Sequence, residues 1–218
     1  MSEGVWTAVG LSSDLEPGAV AGVIVEGREW ALWRGVSGKA QIWEDRCPHR
    51  GMRLSFGFVR GDRLGCLYHG WQYDETGQCR YIPAHPELEP PASIRVPAQG
   101  IAECGGIIWA ALGAPAAAAP QYADGLPVRS LYLDAALADA LKILPEMGEK
   151  ISNAPGAAQA VIVEREGDTL LIGGQVVAER RSALHIALLT PPSGPPQERR
   201  KLHAQWAARL RLGLEARR

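Results

Sequence analysis

The sequence predicts a mainly β N-terminal domain, built as an antiparallel β-sandwich, followed by a small α+β domain. Up to residue 112, short apolar segments that alternate with polar residues are separated by tight turns, a pattern typical of small sandwiches and barrels. A run of Gly, Ala and Pro at residues 113–120 interrupts this pattern and is typical of a linker. We therefore expect domains at residues 1–112 and 128–218, joined by a linker at residues 113–127.

Apolar alternation and turn residues predict strands throughout the N-terminal domain. The sequence Glu26-Gly27-Arg28 indicates a hairpin turn between two of them. Residues 83–97 are rich in Pro, which excludes one regular strand over that range. The predicted strands cover residues 5–9, 20–25, 29–34, 39–44, 58–59, 63–64, a hairpin within 71–81, 101–104 and 107–112.

The C-terminal domain is expected to combine strands with two helices. Leucines at helical spacing between Asp134 and Pro145 predict the first helix, which Pro145 should end. Trp206, with a leucine four residues away on either side, marks a second helix at residues 197–217. The predicted strands cover residues 128–133, 158–165, 169–172, 175–179 and 182–190.

Composition and charge argue against several classes of partner. With 218 residues and a net charge of −1, the chain has no basic excess that would favour nucleic acid. No stretch approaches the ~18 apolar residues of a membrane span, and the N-terminus lacks the features of a secretory signal. Cys79 and Cys104 are expected to be free thiols rather than a disulfide, as in a reducing cytoplasm. We therefore predict a cytoplasmic protein with no nucleic-acid or membrane partner.

Two short motifs, C-P-H-R-G-M from Cys47 and C-L-Y-H-G-W from Cys66, are the strongest chemical signal in the chain. Each offers one thiolate and one imidazole: Cys47 with His49, and Cys66 with His69. Such a set can bind zinc, or a [2Fe–2S] cluster in which two His replace two Cys on one iron. A zinc finger groups its two Cys in one knuckle and its two His on one helix, whereas each knuckle here holds one of each. The arrangement therefore favours a two-iron cluster, with both Cys on one iron and both His on the other.

With these four ligands, a Gly after each box and this separation, the chain resembles the Rieske [2Fe–2S] proteins over about residues 5–113. The resemblance implies a cluster-binding subdomain on the predicted sandwich. Met52 and Leu67 stand where respiratory Rieske proteins have an additional disulfide, and Trp71 stands near their Ser that bonds the cluster. The combination P-H-R-G and Y-H-G-W is similar to Rieske non-haem iron oxygenases of the monooxygenase and O-demethylase type. With fewer hydrogen bonds to the sulfurs, we expect a reduction potential near the low end of the Rieske range, about −150 mV.

After the linker, strands that end in a long amphipathic helix resemble a reduced helix-grip domain. In the oxygenases this domain holds a mononuclear iron through two His and one carboxylate. Residues 113–184 contain no His, and the two that follow, His185 and His203, lack the expected close spacing. We expect His185 to be an ordinary strand histidine and His203 to be exposed. The cluster is therefore predicted and the mononuclear iron is not.

Three hypotheses about function follow, and we also expect the protein to form an oligomer. In the preferred one, the protein is an electron-transfer component or subunit of a non-haem iron oxygenase system, and it contains no catalytic residue of its own. It receives electrons from a flavin or iron–sulfur reductase and passes them to a subunit that carries the mononuclear iron. In the second, it is a terminal monooxygenase or demethylase with an atypical iron site built from His185, His203 and an acidic residue. In the third, it is a structural, non-catalytic partner in an oxygenase heteromer.

Overall fold

The computed structural model describes residues 5–113, 118–147, 149–189 and 192–216. Its contacts divide the chain into two compact units. The first, here called the two-loop unit, comprises Leu15–Ile24 and Arg28–Ile101. The second, here called the helix unit, comprises the chain up to Asp14, the segment Val25–Gly27 and the chain from Ala102 onward.

The described residues form fifteen strands and two α-helices. The first ten strands are β1 Trp6–Leu11, β2 Val20–Val25, β3 Arg28–Arg34, β4 Ala40–Glu44, β5 Phe58–Arg60, β6 Arg63–Gly65, β7 Gln72–Asp74, β8 Cys79–Tyr81, β9 Gly100–Cys104 and β10 Ile107–Ala111. The later elements are β11 Gly125–Leu133, α1 Leu137–Glu146, β12 Lys150–Asn153, β13 Ala160–Arg165, β14 Asp168–Ala178, β15 Arg181–Leu189 and α2 Pro196–Glu215. A short 3₁₀ turn, Leu54–Phe56, lies between β4 and β5.

The two-loop unit is built on two small sheets, ordered β2-β3-β4 and β5-β6-β7-β8. Trp33 and Trp43, from the paired strands β3 and β4, meet edge to face with their ring centroids 4.9 Å apart. Both belong to a hydrophobic cluster that includes Leu64 and the side chains of Cys47 and Cys66. The loops that follow β4 and β6 are therefore anchored in an apolar core through their cysteines.

The helix unit is built around a five-stranded antiparallel sheet, ordered β11-β15-β14-β13-β12. One face is covered by α1 and α2, and Trp206 and Leu210 of α2 share a buried cluster there with Ile172 of β14. The opposite face is covered by β1 and β10, where Trp109 shares a second cluster with Leu171. Successive residues of β14 thus point to opposite layers, as expected of a strand in the middle of a sheet.

The sequence predicted two strands at residues 169–172 and 175–179, but β14 is one continuous strand. The predicted gap between them falls at Gly173 and Gly174. In the structure, a Cβ added at Gly173 would lie 2.5 Å from Cβ of Ala8 in β1. Gly173 therefore allows the layer formed by β1 and β10 to approach the sheet closely, which is another use of glycine within a strand. The neighbouring sequence does not show whether a glycine interrupts a strand or allows close packing against it.

The compact units also differ from the predicted domains. Apolar side chains of β1 and β10, which were assigned to residues 1–112, share a buried cluster with Leu171 and Ala187 of the helix unit. Strand β11 begins at Gly125, inside the predicted linker at residues 113–127, and residues 114–117 of that linker lie outside the described residues. The strand β12 was not predicted, because Lys-Ile-Ser-Asn lacks an apolar alternation. The domain boundaries at residues 112 and 128 stay a prediction.

Both predicted helices are present with small shifts at their ends. Pro145 lies in the last turn of α1 rather than beyond it, and α2 begins at Pro196. A proline near a helix start is favourable because its missing N–H has no partner within the helix. None of the described helices combines the length and apolar character needed to cross a membrane.

His185 lies in β15 without solvent exposure, as expected of an ordinary strand histidine. Its Nε2 is 2.7 Å from Oε1 of Gln175 and donates to it, because an amide oxygen can only accept. Its Nδ1 is 2.9 Å from the hydroxyl of Ser130. Burial lowers the pKa of His185 to about 4. The neutral ring therefore connects β11, β14 and β15 at neutral pH.

We expect the helix unit to lose stability as the pH falls from about 6.5 to about 4. In the unfolded chain His185 protonates at about pH 6.5, whereas the folded ring stays neutral down to about pH 4, so protons favour unfolding across this window. The loss should reach about 3 kcal/mol, and denaturant titrations at about pH 7.5 and about pH 4.5 would measure it. In the His185→Gln variant, the glutamine side chain does not titrate in this range, so the part of the pH dependence that comes from His185 should be absent. The same pH dependence in both proteins would contradict the prediction.

Candidate metal centre

Two loops with the same backbone hydrogen bonds follow β4 and β6. Each loop has six residues. The N–H of residue one donates to the carbonyl of residue six, and the N–H of residue five donates to the carbonyl of residue one. These distances are 2.8 and 2.8 Å in the loop from Cys47 to Met52, and 2.8 and 2.9 Å in the loop from Cys66 to Trp71. The fifth residue is Gly in both loops, with a φ of +69° that other residues seldom adopt. The two sequence motifs therefore fold into matching loops.

The two cysteines lie at the inner side of these loops. Cys47 is 3% exposed and Cys66 is 2% exposed, and their side chains are within hydrogen-bonding reach of each other. Burial raises the pKa of the Cys66 thiol, the amides of Tyr68 and His69 lower it, and the nearby Cys47 raises it further, with a net increase. Two thiolates this close would repel each other in an apolar core unless a cation lay between them. The pair is therefore suited to a metal.

The two histidines lie nearer the surface. Their ring centroids are 4.6 Å apart, and His69 is the more exposed of the two. Trp71 stacks on His49, with 4.2 Å between ring centroids and 3° between planes, while Tyr68 covers His69 at 3.8 Å. Burial, and then the nearby His69 and Arg50, lower the pKa of His49. Trp71 is half-buried whereas Tyr68 is 61% exposed, so the two rings shield the histidines from water to different degrees.

Tyr73 is a site residue that the sequence analysis missed. It is fully buried in β7, and its hydroxyl lies 3.1 Å from Sγ of Cys47. Burial, followed by the contact with Cys47, raises the pKa of Tyr73 far above its ordinary value, so the hydroxyl keeps its proton and can donate it to a Cys47 thiolate. No local motif marks Tyr73, which lies in the predicted hairpin at residues 71–81, and only the fold brings its hydroxyl to Cys47. The reduction potential expected from the sequence, near the low end of the Rieske range, did not take the Tyr73 hydroxyl into account as a hydrogen-bond donor to the sulfur.

We expect Tyr73→Phe to lower the reduction potential by about 40–90 mV. The hydroxyl lies 3.1 Å from Sγ of Cys47, and a donor to a ligand sulfur stabilises the reduced, more negative state. A difference of about 1–2 kcal/mol corresponds to this shift for one electron. Protein-film voltammetry would measure it. Tyr68→Phe is the matched control, because its side chain covers His69 from the solvent side, and it should shift the potential much less. An unchanged or higher potential in Tyr73→Phe would contradict the prediction.

The first loop is flanked by arginines. Arg46 and Arg53, on either side of it, both form ion pairs with Glu29. Arg50, within the loop, is exposed. On the second loop, Leu67 is 58% exposed beside the exposed Tyr68. The surface around the two histidines thus combines positive charge with apolar side chains, a composition found at protein interfaces.

The structure does not bring His185 and His203 together. His203 was predicted to be exposed, and this is wrong: it is fully buried, with Nε2 2.6 Å from Oδ2 of Asp168. His185 is paired in register with Gly173, which faces the layer formed by β1 and β10. His203 lies on α2, across the opposite face of the sheet. The atypical iron site of the second hypothesis would need both histidines on one side.

The donor set fits a two-iron cluster better than a single ion. Among the described residues, which include all five histidines and all four cysteines, no three His, Cys, Asp or Glu side chains are placed to hold one metal ion. A tetrahedral zinc site would need four converging donors, whereas each iron of a [2Fe–2S] cluster takes two protein ligands and completes its shell with sulfide. The two buried cysteines and the two more exposed histidines supply one pair of ligands for each iron of such a cluster. The two matching loops and their donors thus have the features of a Rieske [2Fe–2S] domain.

Comparison with known proteins agrees. Residues 5–96 match the family of the Rieske [2Fe-2S] domain, so the chain carries this domain with its cluster. The chain is 40% identical over 138 residues to the oxidoreductase NdmD of Pseudomonas putida, an alignment that covers 63% of this chain and 22% of NdmD. It is 38% identical over 135 residues to a 4beta-methylsterol monooxygenase of Methylococcus capsulatus, covering 60% of this chain and 35% of the relative. The aligned part is thus about a fifth to a third of the length of these curated relatives.

Solved structures resemble nearly the whole chain. Apo dicamba monooxygenase matches 98% of this chain and 86% of its own, with a TM-score of 0.73 and 19% identity. NdmA of Pseudomonas putida CBB5 matches 94% of this chain and 78% of its own, with a TM-score of 0.70 and 18% identity. At these identities the likeness is one of fold. It confirms the predicted mainly β Rieske fold, and the domain is of the kind found in the non-haem iron oxygenase family.

Proposed function

We propose that this chain is an electron-transfer component or subunit of a non-haem iron oxygenase system. In this proposal Cys47 and Cys66 hold one iron of the cluster, and His49 and His69 hold the other. The bound cluster supplies one-electron oxidation and reduction. The chain's own residues hold it: the two matching loops fix the four donors, and the apolar core around the cysteines excludes water from their sulfurs.

The exposed imidazole side of the site is the proposed path for electrons to and from partners. His69 and its cover Tyr68 are exposed, so a docked protein could approach this side within a few ångströms of the donors. The neighbouring Leu67 and Arg50 suit a partner surface with an apolar centre and acidic groups at its edge. The proposed partners are a flavin or iron–sulfur reductase that supplies electrons, and an oxygenase subunit that carries the mononuclear iron.

The relatives support partners of this kind, since one is called an oxidoreductase and another the oxygenase subunit of a 5,5'-dehydrodivanillate O-demethylase of Sphingobium. All four cysteines are free of disulfides, which suits the reducing cytoplasm that we propose as the location. An assembly with an oxygenase subunit would be a heteromer.

The observation that carries the proposal is the contrast between the two units. The two-loop unit contains a matched set of four donors, whereas the two histidines of the helix unit lie on opposite faces of its sheet and are bonded to Gln175 and Asp168. The space between the sheet and its helices is filled by buried side chains such as Leu144, Trp206 and Leu210. These features favour electron transfer over oxygen activation in this chain.

Counting iron and acid-labile sulfide in the purified protein tests the proposal. We expect about two irons and two sulfides per chain, reduction of the cluster by NADH with a reductase, and little oxygen consumption until an oxygenase subunit is added. A third iron with coupled hydroxylation or demethylation by the protein alone would overturn the proposal in favour of a terminal oxygenase. A cluster that a reductase cannot reduce would favour the structural-partner hypothesis instead.

A further inference from the structure

The two loops are alike inside but differ at their bases. The second loop is closed by strand pairing, because Gly65 at the end of β6 pairs with Gln72 at the start of β7. The first loop has no such closure within residues 5–113: β4 ends at Glu44, pairs with β3, and is followed after the loop by the 3₁₀ turn Leu54–Phe56. Something else must therefore hold its two ends together.

A buried carboxylate lies at this base. Asp45, the residue after β4, is 2% exposed. Its Oδ1 accepts the backbone N–H of Ser55 at 2.7 Å, and its Oδ2 accepts the Ser55 hydroxyl at 2.6 Å. Asp45 is two residues before Cys47, and Ser55 is three residues after Met52, so these bonds join the chain entering the loop to the chain leaving it. A buried carboxylate needs such donors, and short bonds to a charged acceptor are among the stronger hydrogen bonds in proteins.

The same junction reaches the second loop. Ser55 lies in the 3₁₀ turn Leu54–Phe56, which Gly57 follows, and a Cβ added at Gly57 would lie 2.1 Å from the carbonyl oxygen of Gly65. Gly65 directly precedes Cys66. A shift of Ser55 would thus move the segment that sets the separation of the two loops.

We propose that Asp45 and Ser55 are positioning residues that close the base of the first loop in place of strand pairing, and so fix Cys47 and His49 relative to Cys66 and His69. This inference rests on the proposed function, because it takes these four residues as the cluster ligands. A second polar link, Arg46–Glu29–Arg53, also spans the base, but its arginines are 65% and 42% exposed. Exposed ion pairs hold geometry weakly, so the Asp45–Ser55 link is the one expected to matter.

Four variants separate geometry from charge. Asp45→Ala removes both bonds, and Ser55→Ala removes only the hydroxyl bond. Asp45→Asn keeps an oxygen for the Ser55 N–H and gains an NH₂ group that can donate to the Ser55 oxygen, so it preserves the link without the charge. Asp74→Ala is the matched control, because Asp74 accepts bonds from Thr76, Gln78 and Arg80 at the turn between β7 and β8 of the same unit and, among the described residues, its side chain bonds to neither loop.

The experiment compares iron release to a chelator with the EPR spectrum of the reduced protein. Relative to wild type, we expect iron release about tenfold faster in Asp45→Ala and about threefold faster in Ser55→Ala, with shifted g values in both. Asp45→Asn and Asp74→Ala should release iron at nearly the wild-type rate with wild-type g values. If Asp45→Ala does not fold, the comparison of Ser55→Ala with Asp45→Asn decides.

Two results would overturn the inference. In the first, Ser55→Ala and Asp45→Ala release iron at the wild-type rate and have wild-type g values. In the second, Asp74→Ala releases iron as fast as Asp45→Ala, which would indicate general destabilisation. Either result, obtained with a wild-type protein that holds two irons and a Rieske EPR signal, leaves the proposed function intact. A wild-type protein without a cluster would instead remove the proposed function itself.

Discussion

Cys66→Ala is expected to lose the cluster completely, giving a colourless protein without acid-labile sulfide and without a Rieske EPR signal after reduction. The sulfur lies in a nearly dry core, 2% exposed, next to Cys47, so neither water nor a neighbouring side chain can replace it from the solvent side. One iron would keep a single protein ligand, and a two-iron cluster with three of four ligands is not retained. Iron and sulfide assays with visible absorbance would measure the loss.

Cys79→Ala is the matched control for this prediction. Cys79 is 1% exposed in the same hydrophobic cluster as Cys66, and burial raises the pKa of its thiol as it does for Cys66. It lies in β8 outside both loops, and we expect its variant to keep about two irons per chain. A Cys66→Ala protein that keeps the wild-type signal, or a wild-type protein with one zinc and no sulfide, would show that the ligand assignment is wrong.

The sequence was most informative where the controlling interactions are local. The two motifs are short, and their glycines are needed within the same six residues, because a φ of +69° is required at Gly51 and Gly70. The hairpin strands and both helices follow from periodicity over a few residues. The Rieske fold could therefore be predicted, together with the four candidate ligands.

The features that were missed depend on contacts between distant segments. A gap between strands was predicted at Gly173 because Ala8, which requires the absence of its side chain, is more than 160 residues earlier. Tyr73 was not assigned to the site because its partner Cys47 lies 26 residues earlier, in the first loop. His203 was predicted to be exposed because its neighbours along the chain are polar, whereas its partner Asp168 is on β14. Such pairings become visible only once the chain is folded.

Asp168→Ala should destabilise the helix unit by about 3–5 kcal/mol. Asp168 lies at the start of β14 with its side chain fully buried, and its Oδ2 accepts from Nε2 of His203 and Nε of Arg199, each at 2.6 Å. Its Oδ1 accepts the backbone N–H of Ser193 at 2.6 Å. The carboxylate thus joins the sheet to α2 and to the segment before it. Removing it leaves a buried histidine and a largely buried arginine without their acceptor, which is a costly change.

The pH dependence of this contribution follows from the same contacts. Burial acts to raise the pKa of Asp168, but the hydrogen bonds from His203, Ser193 and Arg199 outweigh it and hold that pKa far below its ordinary range. The stabilisation is therefore complete above about pH 4, where an unfolded carboxyl is already ionised, and is lost only in more acidic solution. The share of the stability difference that comes from ionisation of the Asp168 carboxyl should accordingly be constant between about pH 5 and about pH 8.

Urea unfolding followed by tryptophan fluorescence would measure the difference, since Trp206 of α2 is buried in the cluster that this link holds in place. Asp139→Ala is the matched control: its carboxylate is 66% exposed and pairs with Lys142 at 3.5 Å on α1, so its loss should change stability by less than about 1 kcal/mol. The cluster content of Asp168→Ala should stay at about two irons per folded chain, because the four candidate ligands belong to the other unit. A destabilisation below about 1 kcal/mol would mean that water replaces the carboxylate and that α2 is held by its apolar face alone.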